Sequence, residues 1–397
     1  MVYNKIMTTK LRFTELTEEE FRRFVKKCPV KDFLQSFEMY RRYVKMGREV
    51  YLVGVKKVGG AGDGEKARRG DPGKVTGGKI VAGALVEASH QVLGRKIFNA
   101  PRGFLLDFEA EDAGEITEVM TRGLRKFLRA KKGMILEISP KMTRVVEDGG
   151  KKKESGEQRK NKRSDKGCSD CDWPDVGRLV ENLERLGYKN LGEYEQVKWI
   201  YTLETRGRDL EKMKASFRKG HKLSIRYATE RYGVTIRELG RSELQELKEV
   251  ADAAGVRHGF KAPEVSYFEQ MRDAFGKKVR FLVSEMEDPE TGKRVVTSGA
   301  MFVIYGGEVI YLFSGSREEY KKYGGPHLMQ WKMIQYAARE GLKYNFYGTH
   351  PGDGVHAFKT GFRGQLEEMV GTFMLPLSIL GRVYLARKKY AKYRDVA

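Results

Sequence analysis

The residue with the clearest chemical potential in this sequence is a lysine, Lys359, that lies close to two phenylalanines. Phe358 precedes it and Phe362 follows it, in a segment rich in glycine. Apolar neighbours favour a lysine whose stem is packed and whose ammonium points into a cleft, and glycine lets a backbone approach a substrate closely. Such an ammonium can stabilise a developing oxyanion. The alternative is an ordinary solvated lysine on the surface.

A base would complete such a site, and the family resemblance set out below implies Asp107 as the carboxylate for this role. An amine must be neutral to attack a carbonyl, and a free lysine amine has a pKa of about 10.4. A nearby carboxylate can take that proton. Asp107 is equally consistent with a turn aspartate or a helix N-cap. Tyr311, in a predicted strand, is either a hydrogen-bond partner for substrate or part of the core.

The elements that carry Lys359 and Tyr311 follow one another from residue 297 to 362. Two β-runs, 298–305 and 308–313, flank a Gly-Gly pair and predict an antiparallel hairpin. A polar loop over 314–316, a helix over about 326–340 and a strand over 344–347 follow. The predicted end of the series is a Gly-rich loop that carries Lys359.

The same order of elements occurs twice, over residues 11–138 and 234–347. In both copies a strand contains a Gly-Ala pair, at Gly83-Ala84 and Gly299-Ala300. Hairpin, helix and strand in this order resemble half of a GNAT-like acyltransferase. We therefore predict an α/β (α+β) fold of two tandem GNAT-like domains, each with a mixed, mostly antiparallel sheet. The predicted divisions are 1–205, 206–375 with a basic entry helix, and a basic C-terminal helix over 376–397.

Composition limits the partners of the chain. The formal net charge is +22 over 397 residues, which suits phosphate-bearing partners or the anionic inner membrane surface, although many of these cations simply solvate the surface. No run of about 18 apolar residues is present, and the first residues lack the apolar core that a signal peptide requires. We expect a monomer in the cytoplasm, with peripheral membrane contact.

Two polar segments, 57–78 and 147–175, contain little to bury, and we predict mobile loops there. The second holds Cys168 and Cys171, whose spacing matches half of a zinc site. No second pair of Cys or His stands nearby to complete four ligands, so we predict no metal. The basic run in this segment is either a solvated linker or a contact for RNA or membrane.

Several local patterns resemble the Fem family, the aminoacyltransferases that build the peptide branches of peptidoglycan. They span nearly the whole chain apart from the two polar segments, and their order carries the resemblance. Met39-Tyr40 replaces a usual tryptophan, Phe313 replaces a tyrosine found in some members, and the helical arm of some members is missing, so the compact form of the family is favoured. The patterns are 33–35 with 43–45, Ala100-Pro101-Arg102-Gly103 before Asp107, Ile225-Arg226 before Gly233, 311–316, and Phe358-Lys359.

The resemblance implies roles for individual residues. Lys45 and Arg226 would contact the diphosphate of a UDP-linked or lipid-linked muropeptide, the peptidoglycan precursor. Arg102, Tyr311 and Phe358 would bind substrate, and Lys359 would lie beside the developing oxyanion or the terminal phosphates of tRNA. The implied co-substrate is aminoacyl-tRNA, with no separate cofactor.

Two other functions remain open from the sequence. A CoA-dependent N-acyltransferase would hold pyrophosphate on backbone N–H groups at a helix start. Here that place contains Pro326, which has no N–H, and the equivalent place in the first half is acidic at 109–112. CoA is therefore disfavoured. A non-enzymatic RNA-binding protein would show salt-sensitive RNA binding without transferase activity.

Overall fold

The computed structural model describes residues 10–59, 78–146, 174–192, 196–259 and 261–394. Most of the two predicted loops, including Cys168 and Cys171, lies outside these residues. At the loop edges the prediction was too wide, because Lys57 and Val58 belong to a strand and Pro174 begins a helix.

The described residues form sixteen strands and eleven α-helices. The strands are β1 (Lys10–Glu15), β2 (Val50–Val58), β3 (Lys79–Val92), β4 (Arg95–Arg102), β5 (Leu105–Leu106), β6 (Gly133–Pro140), β7 (Thr143–Val146), β8 (Lys189–Asn190), β9 (Trp199–Leu203), β10 (Thr235–Glu238), β11 (Val279–Glu287), β12 (Arg294–Tyr305), β13 (Glu308–Ser316), β14 (Lys343–Thr349), β15 (Gln365–Met369) and β16 (Phe373–Pro376). The helices are α1 (Glu18–Lys27), α2 (Phe37–Lys45), α3 (Ala113–Ala130), α4 (Pro174–Arg185), α5 (Leu210–Ser216), α6 (Lys219–Glu230), α7 (Leu244–His258), α8 (Val265–Phe275), α9 (Gly325–Arg339), α10 (Gly354–Thr360) and α11 (Ile379–Arg394).

The chain divides into two compact units. Of the described residues, the first unit contains 10–59, 78–142, 174–192, 196 and 370–394. The second contains 143–146, 197–259 and 261–369. The units differ from the predicted divisions, because 197–205 lie in the second unit and 370–394, with the C-terminal helix, lie in the first. The reason is that strands β7, β9 and β16 pair across long sequence distances, which a pass along the chain does not reveal.

Each unit contains one mixed sheet. The strand order is β1-β2-β3-β4-β6-β16-β8 in the first unit and β10-β11-β12-β13-β14-β9-β15-β7 in the second. The first four strands of each series pair antiparallel with their neighbours, and the fifth pairs parallel with the fourth, as β4 with β6 and β13 with β14. The predicted duplication and the predicted fold class are therefore confirmed.

The repeated Gly-Ala pair has a packing reason. A Cβ on Gly83 would lie 2.6 Å from the Phe24 ring of α1, and a Cβ on Gly299 would lie 2.7 Å from Leu247 of α7. In each unit a side chain of a helix thus lies directly on a glycine of a central strand. A Cβ there would force that helix side chain to move, since interiors are close-packed.

Two local predictions near Lys359 were wrong. Residues 314–316 are not a loop, because they continue strand β13 in register with β12. The segment that carries Lys359 is not a loop either but helix α10, since Asp353 caps it by accepting a hydrogen bond from the backbone N of His356 at 2.5 Å. Strands β15 and β16 were not predicted at all.

We predict that Gly315→Ala destabilises the second unit. A Cβ at this position would lie 2.5 Å from the backbone O of Val250 in α7, and backbone atoms cannot move aside as a side chain end can. Overpacking of this kind costs about 1–3 kcal/mol. Chemical denaturation should show the loss. Gly220→Ala is the matched control, because nothing lies within 4 Å of its Cβ position; an equal loss in both variants would contradict the close-packing argument.

Candidate active site

The second sheet opens at the carboxyl ends of its parallel strands. Strands β13 and β14 pair with each other over only three residues, from Glu308 with Lys343 to Ile310 with Asn345. Beyond these residues the two strands no longer pair with each other. In the first unit the equivalent strands, β4 and β6, stay paired as far as Arg102 with Pro140. Ligands of sheets with parallel strands bind beyond the carboxyl ends of those strands. The opening in the second unit is therefore the candidate site.

Irregular backbone shapes both sides of the opening. On β13 the register with β12 skips Leu312, because Phe302 pairs with Tyr311 and Met301 pairs with Phe313. On β14 Tyr347 has a positive φ of 59°, and its backbone N donates to Asn345 Oδ1 at 2.8 Å. Bulges of this kind bend strands and release backbone groups from the ladder. Both strands are thus bent where they stop pairing.

Lys359 fills this opening. Its side chain is only 4% exposed, and its Nζ donates a hydrogen bond to the backbone O of Gly348, which lies on β14 beyond the last pair. The same Nζ lies 5.9 Å from the ring centroid of Tyr311, on β13 beyond the last pair. The ammonium is therefore held between the two diverging strands.

Burial shifts the titration of both side chains. Desolvation lowers the pKa of Lys359 to about 8, although the negative charge of Asp353 opposes this. Desolvation also raises the pKa of Tyr311 to about 12, against hydrogen bonds with Ser314 and Gln330 that lower it. Lys359 is thus a cation at neutral pH and Tyr311 a neutral hydroxyl. A desolvated cation interacts strongly with any charge that develops beside it.

Helix α6 holds the lysine helix in place. His221 Nε2 lies 2.8 Å from the backbone O of Phe358, and Arg218 N donates to the backbone O of Gly361 at 2.9 Å. A carbonyl only accepts, so Nε2 of His221 carries the hydrogen. A Cβ on Gly361 would lie 2.1 Å from the His221 ring, so this contact requires glycine.

An aromatic cluster lies behind Lys359 in the second unit. The ring centroids of His221 and His327 are 4.6 Å apart, and that of Phe358 lies 4.9 Å from His327. Burial lowers the pKa of His327 to about 3, with His221 contributing a smaller part. Burial also lowers the pKa of His221. Both histidines are therefore neutral at physiological pH. Sequence analysis missed them, because no spacing links 221 to 327.

Three of the predicted site residues come together in the second unit. Lys359 and Tyr311 lie at the opening, whereas Phe358 belongs to the aromatic cluster behind Lys359 and packs on the fully buried Phe362. Arg226 lies away from the opening on the exposed side of α6, with its Nε 3.9 Å from Glu230. Lys45 is exposed in the last turn of α2, in the first unit. That Lys45 and Arg226 share one diphosphate remains a prediction.

The other two predicted residues lie in the first unit. Asp107 is exposed, and its Oδ1 accepts a hydrogen bond from the backbone N of Glu109 at 3.1 Å, as a turn aspartate does. Its role as a base stays a prediction. Arg102 is 4% exposed, and its backbone N donates to Ser139 Oγ at 3.1 Å. None of the described residues offers its guanidinium a hydrogen bond or an ion pair, which favours an anionic ligand group there.

Comparison with known proteins decides the family. A sequence profile described as the FemAB family matches residues 72–290 and 284–386, which is most of the chain. The chain belongs to the FemAB family. The predicted resemblance is therefore confirmed, and together with the GNAT-like fold it makes this FemAB protein an acyltransferase.

Named relatives and solved structures agree over almost the whole chain. Aminoacyltransferase FemB of Staphylococcus epidermidis is 24% identical and covers 93% of this chain and 95% of the relative. Aminoacyltransferase FemA of Staphylococcus aureus is 24% identical, with 97% and 99% covered. The structure of FemX has a TM-score of 0.70 at 19% identity, with 94% and 99% covered. A tandem GNAT protein from the clavulanic acid biosynthesis pathway has a TM-score of 0.51 at 9% identity, with 93% and 99% covered.

The start of helix α9 is the place where a GNAT-like enzyme would hold pyrophosphate. In this FemAB protein Pro326 lies in the first turn and supplies no N–H. A Cβ on Gly324 would lie 2.6 Å from the backbone O of Ser224, so α6 packs closely against this helix start. That CoA has no part in the reaction stays a prediction. Within the described ranges, no group of three His, Cys, Asp or Glu side chains is placed to hold a metal, and no helix there has the length and hydrophobicity to span a membrane.

We predict that Lys359→Met changes how stability depends on pH. The folded protein holds the Lys359 proton with a pKa of about 8, against about 10.4 when unfolded. Between these values the unfolded chain binds more protons, so the free energy of unfolding of wild type rises with pH relative to the variant, by about 3 kcal/mol. Urea denaturation at pH 7, 9 and 10.5 tests this. A difference between wild type and Lys359→Met that is flat in pH would show that Lys359 is not desolvated.

Proposed function

We propose that the protein transfers an aminoacyl group from aminoacyl-tRNA to an amine of a peptidoglycan precursor. The observation that carries this proposal is the buried Lys359 ammonium in the opening between β13 and β14. Membership of the FemAB family and the named aminoacyltransferase relatives support the class of reaction. The net charge of +22 suits an RNA co-substrate and a diphosphate-bearing acceptor.

The reaction forms an amide and breaks an ester. The neutral amine attacks the ester carbonyl carbon, and negative charge develops on the carbonyl oxygen. The Lys359 ammonium stabilises that oxygen, and its position is already fixed by Gly348 O and by the cap of α10. Collapse expels the ribose oxygen, which takes up a proton as the amine loses one. A fixed cation in a site with little water needs no reorganisation during this step.

The neighbours of Lys359 hold its ammonium rather than react. Phe358 packs against the His327 ring and, with Phe362, fixes the end of α10. The Tyr311 hydroxyl, neutral at physiological pH because burial raises its pKa to about 12, serves as a hydrogen-bond partner for substrate. Contact with the inner membrane surface, action in the cytoplasm and a monomeric state stay predictions.

We predict that Lys359→Met lowers transfer by roughly 100- to 1000-fold, since one fixed cation beside an oxyanion contributes about 3–4 kcal/mol. Methionine keeps the bulk of the stem, so the fold should survive. Lys359→Arg should restore only part of the rate, because a planar fork replaces a compact charge. The assay mixes aminoacyl-tRNA with a UDP-linked muropeptide and weighs the product. A loss of less than about threefold in the transfer rate at matched thermal stability would show that Lys359 has only a structural role.

We also predict that Lys45→Met and Arg226→Met each weaken binding of the UDP-linked muropeptide. Both residues are exposed cations, and two cations can share one diphosphate. The loss should shrink as salt is raised, because salt screens exposed charges. Titration calorimetry at low and high salt measures it. Lys212→Met on the neighbouring helix α5 is the control, and unchanged dissociation constants in both variants would reject the shared site.

A further inference from the structure

Three polar side chains lie side by side on one face of the first sheet. Glu87 on β3 pairs in register with Asn99 on β4, and Asn99 pairs with Glu137 on β6. Residues paired across neighbouring strands point to the same face. All three are buried, at 6%, 4% and 8% exposure respectively. Two carboxylates and an amide thus form a buried polar row on this face of the sheet.

The two carboxylates of this row differ in what they contact. Glu87 Oε2 accepts a hydrogen bond from Arg48 Nη1 at 2.7 Å, and Glu87 also faces the Tyr43 hydroxyl of α2 and helps raise its pKa. Glu137 has no hydrogen bond and no ion pair with any described residue. Glu137 is 8% exposed as a residue, and its carboxylate oxygens are not sealed from solvent. Glu87 is therefore held by its neighbours, whereas the Glu137 carboxylate is left open to a further partner.

Glu137 lies near the end of the first sheet that corresponds to the candidate site in the second sheet. It lies toward the carboxyl end of β6, and β4 with β6 is the one parallel pair among the described strands of the first sheet. The equivalent end of the second sheet holds Lys359. Arg102, at the end of β4, is 4% exposed, and its guanidinium also makes no hydrogen bond or ion pair with a described residue. Opposite charges that lie near one strand end yet do not pair with each other are placed for the charges of a ligand.

We propose that Glu137 binds the ammonium group of the acceptor substrate and so determines specificity for a free amine. An alkyl amine reaches the protein as an ammonium, because its pKa is about 10.4. An ammonium offers three donors and a carboxylate only accepts, so the pair satisfies both charges. A hydroxyl or an amide would leave the carboxylate charge unpaired. This assignment rests on the proposed function, since it names the group of the acceptor that the first unit recognises.

The test compares two probes, a UDP-linked muropeptide with a free side-chain amine and the same muropeptide N-acetylated on that amine. Calorimetry at pH 7 measures both dissociation constants. Wild type should bind the free amine form about 10- to 100-fold more tightly, the range of a charge-assisted hydrogen bond. Glu137→Gln should bind both probes alike. Equal preference in Glu137→Gln and wild type would overturn the assignment.

Thermal unfolding separates recognition from a structural role. Glu137→Gln removes a carboxylate that makes no hydrogen bond or ion pair with a described residue, so its Tm should be unchanged. Glu87→Gln is the matched control in the same row; it leaves Arg48 without its partner and should lower Tm by about 2–5 °C while keeping the preference for the free amine. A fall in Tm for Glu137→Gln like that for Glu87→Gln would assign Glu137 to the structure and overturn the proposal.

The two proposals fail separately. A wild-type protein that forms the transfer product but binds both muropeptides equally overturns the role of Glu137 and leaves the proposed function intact. A wild-type protein that prefers the free amine, and loses this preference in Glu137→Gln, supports that role even if no aminoacyl product forms. In that case the transfer reaction is the part that is wrong.

Discussion

The active opening depends on one constraint, the loss of pairing between β13 and β14 after Ile310 and Asn345. Strands that diverge leave backbone groups without partners inside a protein, and such groups must be satisfied. The carbonyl of Gly348 accepts a hydrogen bond from a lysine ammonium. The divergence of the strands that opens the sheet therefore also fixes the Lys359 ammonium. The Asp353 cap, the bulges in β13 and β14 and the aromatic cluster all hold that arrangement.

The two units share one topology but differ at the carboxyl ends of their parallel strands. Both have a helix pressed on a glycine of the third strand, and both have a single parallel strand pair among their described strands. The first keeps this pair closed and has buried, unpaired side chains, Glu137 and Arg102, toward its end. The second opens it around a desolvated lysine. The two copies of one topology thus differ in how far the parallel strands stay paired.

Much of the fold could be predicted because it depends on residues that are adjacent in the sequence. Strand and helix order, the capping box at Thr17 with Glu20, and the burial of Lys359 between Phe358 and Phe362 all follow from adjacent residues. Helix α10 was not predicted, since a glycine-rich segment indicates a loop unless the cap at Asp353 is recognised. Glu137 could not be found either. It stands alone in an apolar strand, and Asn99 and Glu87 join it only through strand register.

The interleaving of the two units in the chain has a consequence for biosynthesis. Strand β16, at 373–376, lies between β6 and β8 inside the first sheet, whereas the second sheet has all its strands once β15 ends at Met369. Chains emerge from the ribosome in order. The unit that begins first is therefore completed last. Until β16 arrives, β6 remains an unprotected edge in the nascent protein, exposed to pairing with other chains.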